Sequence, residues 1–235
     1  MKKLVLFTLT LSAFVFAIVV GVQILLGIIV TSLFPVDVVE LPIVNALFSI
    51  VSYALAMILI ILLPPILLKN KIKKSSRDSL GLRGLPTWTD LGLAPIGYIA
   101  SIILAAGITA IFNLFPWFNA SEAQELGFSH YMMGGERVIA FLLLAVIAPI
   151  AEEIIFRGWL YGKLRVKIPK WVAILVTSLV FGLVHMQWNV GVTVFAMSVI
   201  TCSMREITGT IYAGTLVHII NNSVAFYLVY VIGMS

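Results

Sequence analysis

Long apolar runs separated by short polar connections dominate the hydrophobic pattern of this chain. A helix needs about 17–25 predominantly apolar residues to cross a bilayer. Five runs are good candidates for such spans: residues 4–33, 43–68, 91–115, 137–164 and 171–187. Two more follow, of which residues 191–203 are short for a full crossing and residues 210–232 are long enough. The pattern therefore predicts six or seven spans.

The amino-acid composition favours the same class of protein. Hydrophobic residues make up 61% of the 235 residues and charged residues only 11%, whereas a soluble domain carries about 25% charged residues. Backbone groups in hydrocarbon must bond to one another, and the runs lack the two-residue alternation of a barrel strand. We therefore expect an all-α integral membrane protein, a polytopic helical bundle. The single cysteine, Cys202, excludes an internal disulfide and a cysteine-clustered metal site.

Basic residues gather at alternate ends of successive spans: at Lys2 and Lys3, within residues 69–83, and within residues 163–170. Because positively charged connections stay on the cytoplasmic side, the N-terminus is predicted to be cytoplasmic. The first run is too long for a signal peptide and lacks a clear cleavage site, so we predict that it is an uncleaved span. This topology accounts for the net charge of +5, and no nucleic-acid partner is expected. Residues 69–90 are interpreted as a polar, partly disordered loop.

Two adjacent carboxylates and an arginine lie inside the fourth run, at Glu152, Glu153 and Arg157. Charged groups within a span are costly, so they are functional candidates by default. Glu153 and Arg157 have the four-residue spacing of an intrahelical ion pair. Successive helix residues point about 100° apart, so Glu152 and Glu153 are not expected to face one site. Because Glu153 is paired with Arg157, we expect Glu152 to be the unpartnered carboxylate and a candidate general base. Alternatively, the three residues pair at a frayed helix end.

Two further pairs of residues lie in the later runs. Phe181 precedes His185 by four residues, and counting about 1.5 Å per residue from the inner turn places His185 at a depth comparable to that of Glu152. His218 and Asn222 also lie four residues apart and share one helix face. Their side chains can donate hydrogen bonds to a developing oxyanion. Such residues can also serve only as packing or as hydrogen bonds between helices.

The candidate catalytic set is Glu152, His185, His218 and Asn222. No serine or cysteine is placed to act as a nucleophile, so water is the expected attacker. Glu152 and His185 would activate the water, and the other two residues would hold the carbonyl oxygen in an intramembrane cavity. No cofactor is expected. As an alternative, Glu152, His185 and His218 can hold a catalytic zinc ion, although no His-Glu-x-x-His pattern is present.

At these residues the sequence resembles the CAAX protease and bacteriocin-processing enzyme (CPBP) family of intramembrane proteases. The matching motifs are Glu152-Glu153-x-x-x-Arg157, Phe181-x-x-x-His185 and His218-x-x-x-Asn222. The resemblance implies a glutamate-dependent endopeptidase, in a family that also carries a metalloprotease label, with Glu153, Arg157 and Phe181 in supporting roles. Its eukaryotic relatives remove the last three residues of prenylated CAAX proteins.

On this basis the single membrane domain divides into N-terminal helices and loops (1–135), a catalytic core (136–228) and a C-terminal end (229–235). We predict an intramembrane peptidase of a prokaryotic plasma membrane. Its expected partners are the lipid bilayer and a membrane-associated peptide or protein, prenylated or of bacteriocin or signal-peptide type. A transporter or immunity protein that uses the same residues for proton relay or peptide binding is the alternative. The oligomeric state does not follow from the sequence.

Overall fold

A computed structural model describes residues 1–39, 41–67, 77–122 and 134–233. All the regular structure in these residues is helical. The helices are α1 (Lys2–Leu33), α2 (Val36–Val39), α3 (Pro42–Leu67), α4 (Trp88–Phe112), α5 (Gly135–Arg165), α6 (Lys170–Leu183), α7 (Trp188–Thr208) and α8 (Tyr212–Ile232). Six of them, all except α2 and α6, are long and apolar enough to cross a membrane. The prediction of an all-α, polytopic integral membrane protein is therefore confirmed.

The structure differs from two of the span predictions, those for the segments on either side of the turn between α6 and α7. Helix α6 has 14 residues, which is about 21 Å of helix and too short for a hydrocarbon core of about 30 Å. The prediction of a span at residues 171–187 is therefore wrong. The apolar run continues past Leu183, but the backbone turns there and Met186 has a φ of 56°. Helix α7 instead has 21 residues and is long enough to span, although residues 191–203 looked short.

Helix α5 lies at the centre of the bundle, because α1, α3, α6, α7 and α8 all contact it. Two π-helical segments, Leu142–Ile147 and Ile154–Tyr161, interrupt its α-helical geometry. In the first segment, the N–H of Ala148 bonds to the carbonyl of Leu143, five residues earlier. The next carbonyl, that of Leu144, has Pro149 at the corresponding position, and proline has no N–H. The Leu144 carbonyl is thus left to a donor from another helix.

The polar loop before α4 is docked on the end of α7 and the start of α8 where it is described. Leu80 is buried, Arg205 donates a hydrogen bond to the Ser79 carbonyl at 3.0 Å, and the N–H of Ile211 donates to the Gly81 carbonyl at 3.1 Å. These contacts hold residues 77–87 of the loop in place, and residues 88–90 already belong to α4. Residues 68–76 lie outside the described part of the chain, so the prediction of a partly disordered loop stays a prediction.

Candidate active site

A buried ion pair forms the base of the site. Arg157 Nη1 lies 2.9 Å from Glu153 Oε1, and neither side chain is exposed to solvent. The guanidinium also lies over the Phe181 ring, 4.2 Å from the ring centroid, which is a favourable cation–π geometry. The predicted intrahelical pair is thus present. A buried charge of this kind needs its partner, because removing one member leaves the other uncompensated.

His218 of α8 lies between the two neighbouring carboxylates of α5. Its Nδ1 is 3.2 Å from Glu153 Oε1, and its Nε2 is 3.6 Å from Glu152 Oε2. The expectation that the two glutamates could not face one site is therefore wrong. Although their Cα–Cβ bonds diverge by about 100°, each side chain has three rotatable bonds and reaches a different nitrogen of the same ring. Gly214 allows this approach, since a Cβ there would lie 3.2 Å from Glu153 Oε2.

Glu152 has a second partner that the sequence did not identify. The hydroxyl of Tyr53, on α3, donates a hydrogen bond to Glu152 Oε1. The prediction of an unpartnered carboxylate is therefore wrong, because α3 packs against the α-helical segment Ala148–Glu153 of α5. The Glu152 side chain nevertheless keeps 12% of its surface exposed, unlike Glu153. The sequence feature that could have indicated Tyr53 is its polar hydroxyl in the middle of an apolar run.

His185 follows the last turn of α6 and lies near the same cluster. Its Nδ1 is 2.8 Å from the carbonyl oxygen of Phe181. A carbonyl only accepts hydrogen bonds, so Nδ1 carries the proton and Nε2 is the basic nitrogen of the neutral ring. The Phe181 ring contacts both imidazoles, with centroid distances of 5.0 Å to His185 and 5.7 Å to His218. His185 also interacts electrostatically with Glu152.

Asn222 lies one helical turn after His218 and bonds to α5. Its Nδ2 donates to the Leu144 carbonyl at 2.9 Å, the carbonyl that Pro149 leaves without a main-chain donor in the π-helical register. Its Oδ1 accepts a hydrogen bond from Asn221 at 3.2 Å. An amide nitrogen has two N–H groups, so the second remains for another acceptor. Asn222 thus forms a hydrogen bond between helices, which is one of the two alternatives that the sequence left open.

The three residues of the zinc alternative do not form a ligand set. No group of three or more His, Cys, Asp or Glu side chains in the described ranges is arranged to hold a metal ion. Tyr53 bonds to one oxygen of Glu152, Glu153 faces Nδ1 of His218, and Nδ1 of His185 donates to the Phe181 carbonyl. The zinc alternative would therefore use Oε2 of Glu152 and Nε2 of both histidines, and it stays a prediction.

An apolar cavity of about 610 Å³ opens beside the α6–α7 turn. It lies between α1, α4, α6 and α7, and its lining includes Phe16, Phe112, Gly182, Met186 and Trp188. The cavity therefore adjoins His185, whose chain neighbours line it. Its lining residues do not include the four candidate catalytic residues.

Comparisons with known proteins agree with the motifs. Residues 134–224, which contain all three motifs, match the family model described as type II CAAX prenyl endopeptidase Rce1-like. A Bacillus subtilis (strain 168) protein named "Putative membrane peptidase YdiL" is 24% identical over 143 residues, which cover 60% of this chain and 54% of the relative. The chain thus spans about half the length of that relative. No solved structure matches. In residues 134–224, the chain is therefore similar to the Rce1-like family of type II CAAX prenyl endopeptidases.

Proposed function

We propose that this protein is an intramembrane endopeptidase that hydrolyses a peptide bond of a membrane-associated peptide or protein. The observation that carries the proposal is the placement of His218 between Glu152 and Glu153, inside a segment that matches a peptidase family. A structural role alone needs only the Glu153–Arg157 pair. The second, partly exposed carboxylate adds a proton acceptor that water and a substrate can reach.

In the proposed reaction, Glu152 acts as the general base, and His185 Nε2 is the second candidate proton acceptor. The oxygen of a water molecule attacks the carbonyl carbon of the scissile bond while its proton passes to one of these two groups. The same proton then moves to the amide nitrogen as the carbon–nitrogen bond breaks, which yields a carboxylic acid and an amine. The acid then gives its remaining proton to the amine, so that the products leave as a carboxylate and an ammonium group. The reaction needs neither a covalent intermediate nor a co-reactant other than water.

The developing oxyanion would be held by donors from α8. When His218 is protonated on both nitrogens, Nδ1 donates to Glu153 and Nε2–H points to the side of Glu152, where the carbonyl oxygen would lie. Asn222 offers the N–H that is not used by the Leu144 carbonyl. Arg157 acts indirectly, since it holds the Glu153 carboxylate that orients the imidazole.

The substrate is proposed to be held by the membrane, through a CAAX-type prenylated end or through the apolar segment of a bacteriocin or signal peptide. A site on spanning helices is reached most readily by a peptide that is already concentrated in the same bilayer. The matched family's description names the first substrate type, and the apolar cavity beside His185 suits either.

The test is cleavage of two panels of fluorogenic peptides, prenylated and unprenylated hydrophobic, by the purified protein in lipid nanodiscs. Glu152→Gln and His185→Ala should each lower kcat by at least about a hundredfold, the usual contribution of general acid–base catalysis. Glu136→Gln is the matched control, because Glu136 is an exposed glutamate on the same helix and should leave the rate unchanged. A folded wild-type protein that cleaves neither panel would contradict the proposal and favour the transporter or immunity alternative.

A further inference from the structure

We infer that Tyr53 is a positioning residue for the Glu152 carboxylate, so that α3 completes an active site whose other candidate residues come from α5 to α8. This inference rests on the proposed peptidase function. Tyr53 lies outside residues 134–224, the segment that matches the family model. No motif contains it, and only the packing of the helices brings it to the site.

The hydrogen bond distinguishes the two oxygens of the carboxylate. The Tyr53 hydroxyl donates to Oε1 of Glu152, because an ionised carboxylate can only accept. The other oxygen, Oε2, faces His218 Nε2 at 3.6 Å. That separation is longer than a hydrogen bond, so His218 by itself does not fix the carboxylate. Tyr53 thus determines which oxygen faces the imidazole and the attacking water.

The helix that carries Tyr53 contacts α5 and has small buried side chains beside this tyrosine. Ser52 and Ala56 are buried on α3, beside Tyr53, and small side chains let helix backbones come together. Ile60, one turn further, is fully buried on the same face. A tyrosine hydroxyl in the middle of a span needs a polar partner, since leaving it unbonded in an apolar environment costs free energy. Glu152 supplies that partner.

Loss of the hydroxyl should affect the chemical step more than substrate binding. Without Tyr53, the Glu152 side chain can rotate about its χ angles, and the fraction of time in which Oε2 faces the reacting water falls. Tyr53 donates its hydrogen bond to the carboxylate and is not among the residues that line the apolar cavity. We therefore expect kcat to fall while KM stays unchanged.

The experiment compares Tyr53→Phe with Tyr98→Phe, in the wild-type background and on a peptide that the wild-type protein cleaves. Tyr98 is a partly buried tyrosine of α4, so the control removes a hydroxyl from a helix away from Glu152. Tyr53→Phe should lower kcat by about ten- to a hundredfold, as expected for the loss of a hydrogen bond to a charged group, with KM within twofold of wild type. Equal kcat values for the two variants, or a rise in KM alone, would overturn the inference.

A second measurement separates failure of this inference from failure of the proposed function. The protein is labelled with ¹³C at Cζ of its seven tyrosines, and the Tyr53 resonance is identified by its absence in Tyr53→Phe. Glu152→Gln should shift this resonance and leave the Tyr98 resonance in place, whether or not any peptide is cleaved. A Tyr53 resonance that does not respond to Glu152→Gln would refute the positioning bond even if the peptidase activity is established.

Discussion

Nδ1 of His218 lies 3.2 Å from Oε1 of Glu153, a carboxylate with no exposed surface. This contact indicates different roles for the two adjacent glutamates. Glu153 is held by Arg157 at 2.9 Å, so it is a fixed acceptor that sets the orientation of the imidazole. Glu152 faces the other nitrogen from a partly exposed position. A histidine oriented by one carboxylate and working beside another is a common arrangement in sites that move protons.

Arg157→Ala should lower the stability of the folded protein together with its activity. The substitution leaves the buried Glu153 carboxylate without its cation, which costs about 3–5 kcal/mol for a buried pair. Glu152→Gln should keep the fold, because Gln preserves the shape of a side chain that is partly exposed. The measurement is the midpoint of thermal unfolding in detergent, with folded yield from size-exclusion chromatography.

Arg165→Ala is the control for this prediction. Arg165 lies on the same helix and pairs with Glu206 at 2.8 Å, but 42% of its side chain is exposed. Exposed pairs contribute about 0–1 kcal/mol, so the midpoint should change little. Equal losses of stability in Arg157→Ala and Glu152→Gln would contradict the division of roles between the glutamates.

Gly214→Ala should disturb the site although alanine favours helices. A Cβ at position 214 would lie 3.0 Å from Thr201 Cβ and 3.2 Å from Glu153 Oε2, so Thr201 and the Glu153 carboxylate must give way by a few tenths of an ångström. We expect a lower unfolding midpoint and a lower kcat. Gly107→Ala is the matched control, because a Cβ there meets nothing within 4 Å in the described structure. That variant should be neutral or slightly stabilised, by up to about 1 kcal/mol. An unchanged Gly214→Ala protein would show that the helices are not this closely packed.

Local periodicity was sufficient to predict part of the site and most of the spans. The Glu153–Arg157 pair depends only on a four-residue spacing within one helix, and the structure contains it. The spans α1, α3, α4, α5 and α8 follow from apolar runs of adequate length. The four-residue spacing and the apolar runs both involve residues that are close together in the chain. Both can therefore be recognised from a single sequence.

Features that depend on packing between distant helices were not predictable. Tyr53 and Glu152 meet only because α3 lies against α5, and no periodicity encodes that contact. The end of α6 at Leu183 was also missed, since apolar residues continue through the turn and hydropathy does not report a change of backbone direction. The depths of Glu152 and His185 were compared at a uniform rise per residue. That comparison left out the π-helical segments of α5, which rotate the side chains that follow them relative to an ideal helix.

The proposed peptidase activity is predicted not to need a metal ion. Cleavage should persist after treatment with EDTA and 1,10-phenanthroline, and elemental analysis of the purified protein should find zinc well below one equivalent. The structural reason is that no three His, Cys, Asp or Glu side chains in the described ranges are grouped around one metal position. Stoichiometric zinc that is lost in His218→Ala, with activity restored by added zinc, would establish the metal-dependent alternative.

The charge pattern predicts that the connection between α3 and α4 is cytoplasmic and that the connection after α4 is external. Arg77→Cys and Ser121→Cys place single accessible thiols on these two connections, since both native side chains are exposed. The native Cys202 is fully buried, so the parent protein provides a background without label. A membrane-impermeant maleimide added to intact cells should label position 121, and position 77 only after permeabilisation.

This labelling also determines where His185 lies. Asn189, at the start of α7, donates a hydrogen bond to the Glu122 carbonyl at 2.6 Å, and Trp188 packs on Trp117 at 5.5 Å. The α6–α7 turn is therefore attached to the connection after α4. If position 121 is external, the turn and the cavity beside His185 open towards the outer half of the bilayer, and a substrate would enter from that side. Labelling of position 77 in intact cells would reverse the orientation of the chain and place the same entrance in the cytoplasmic half.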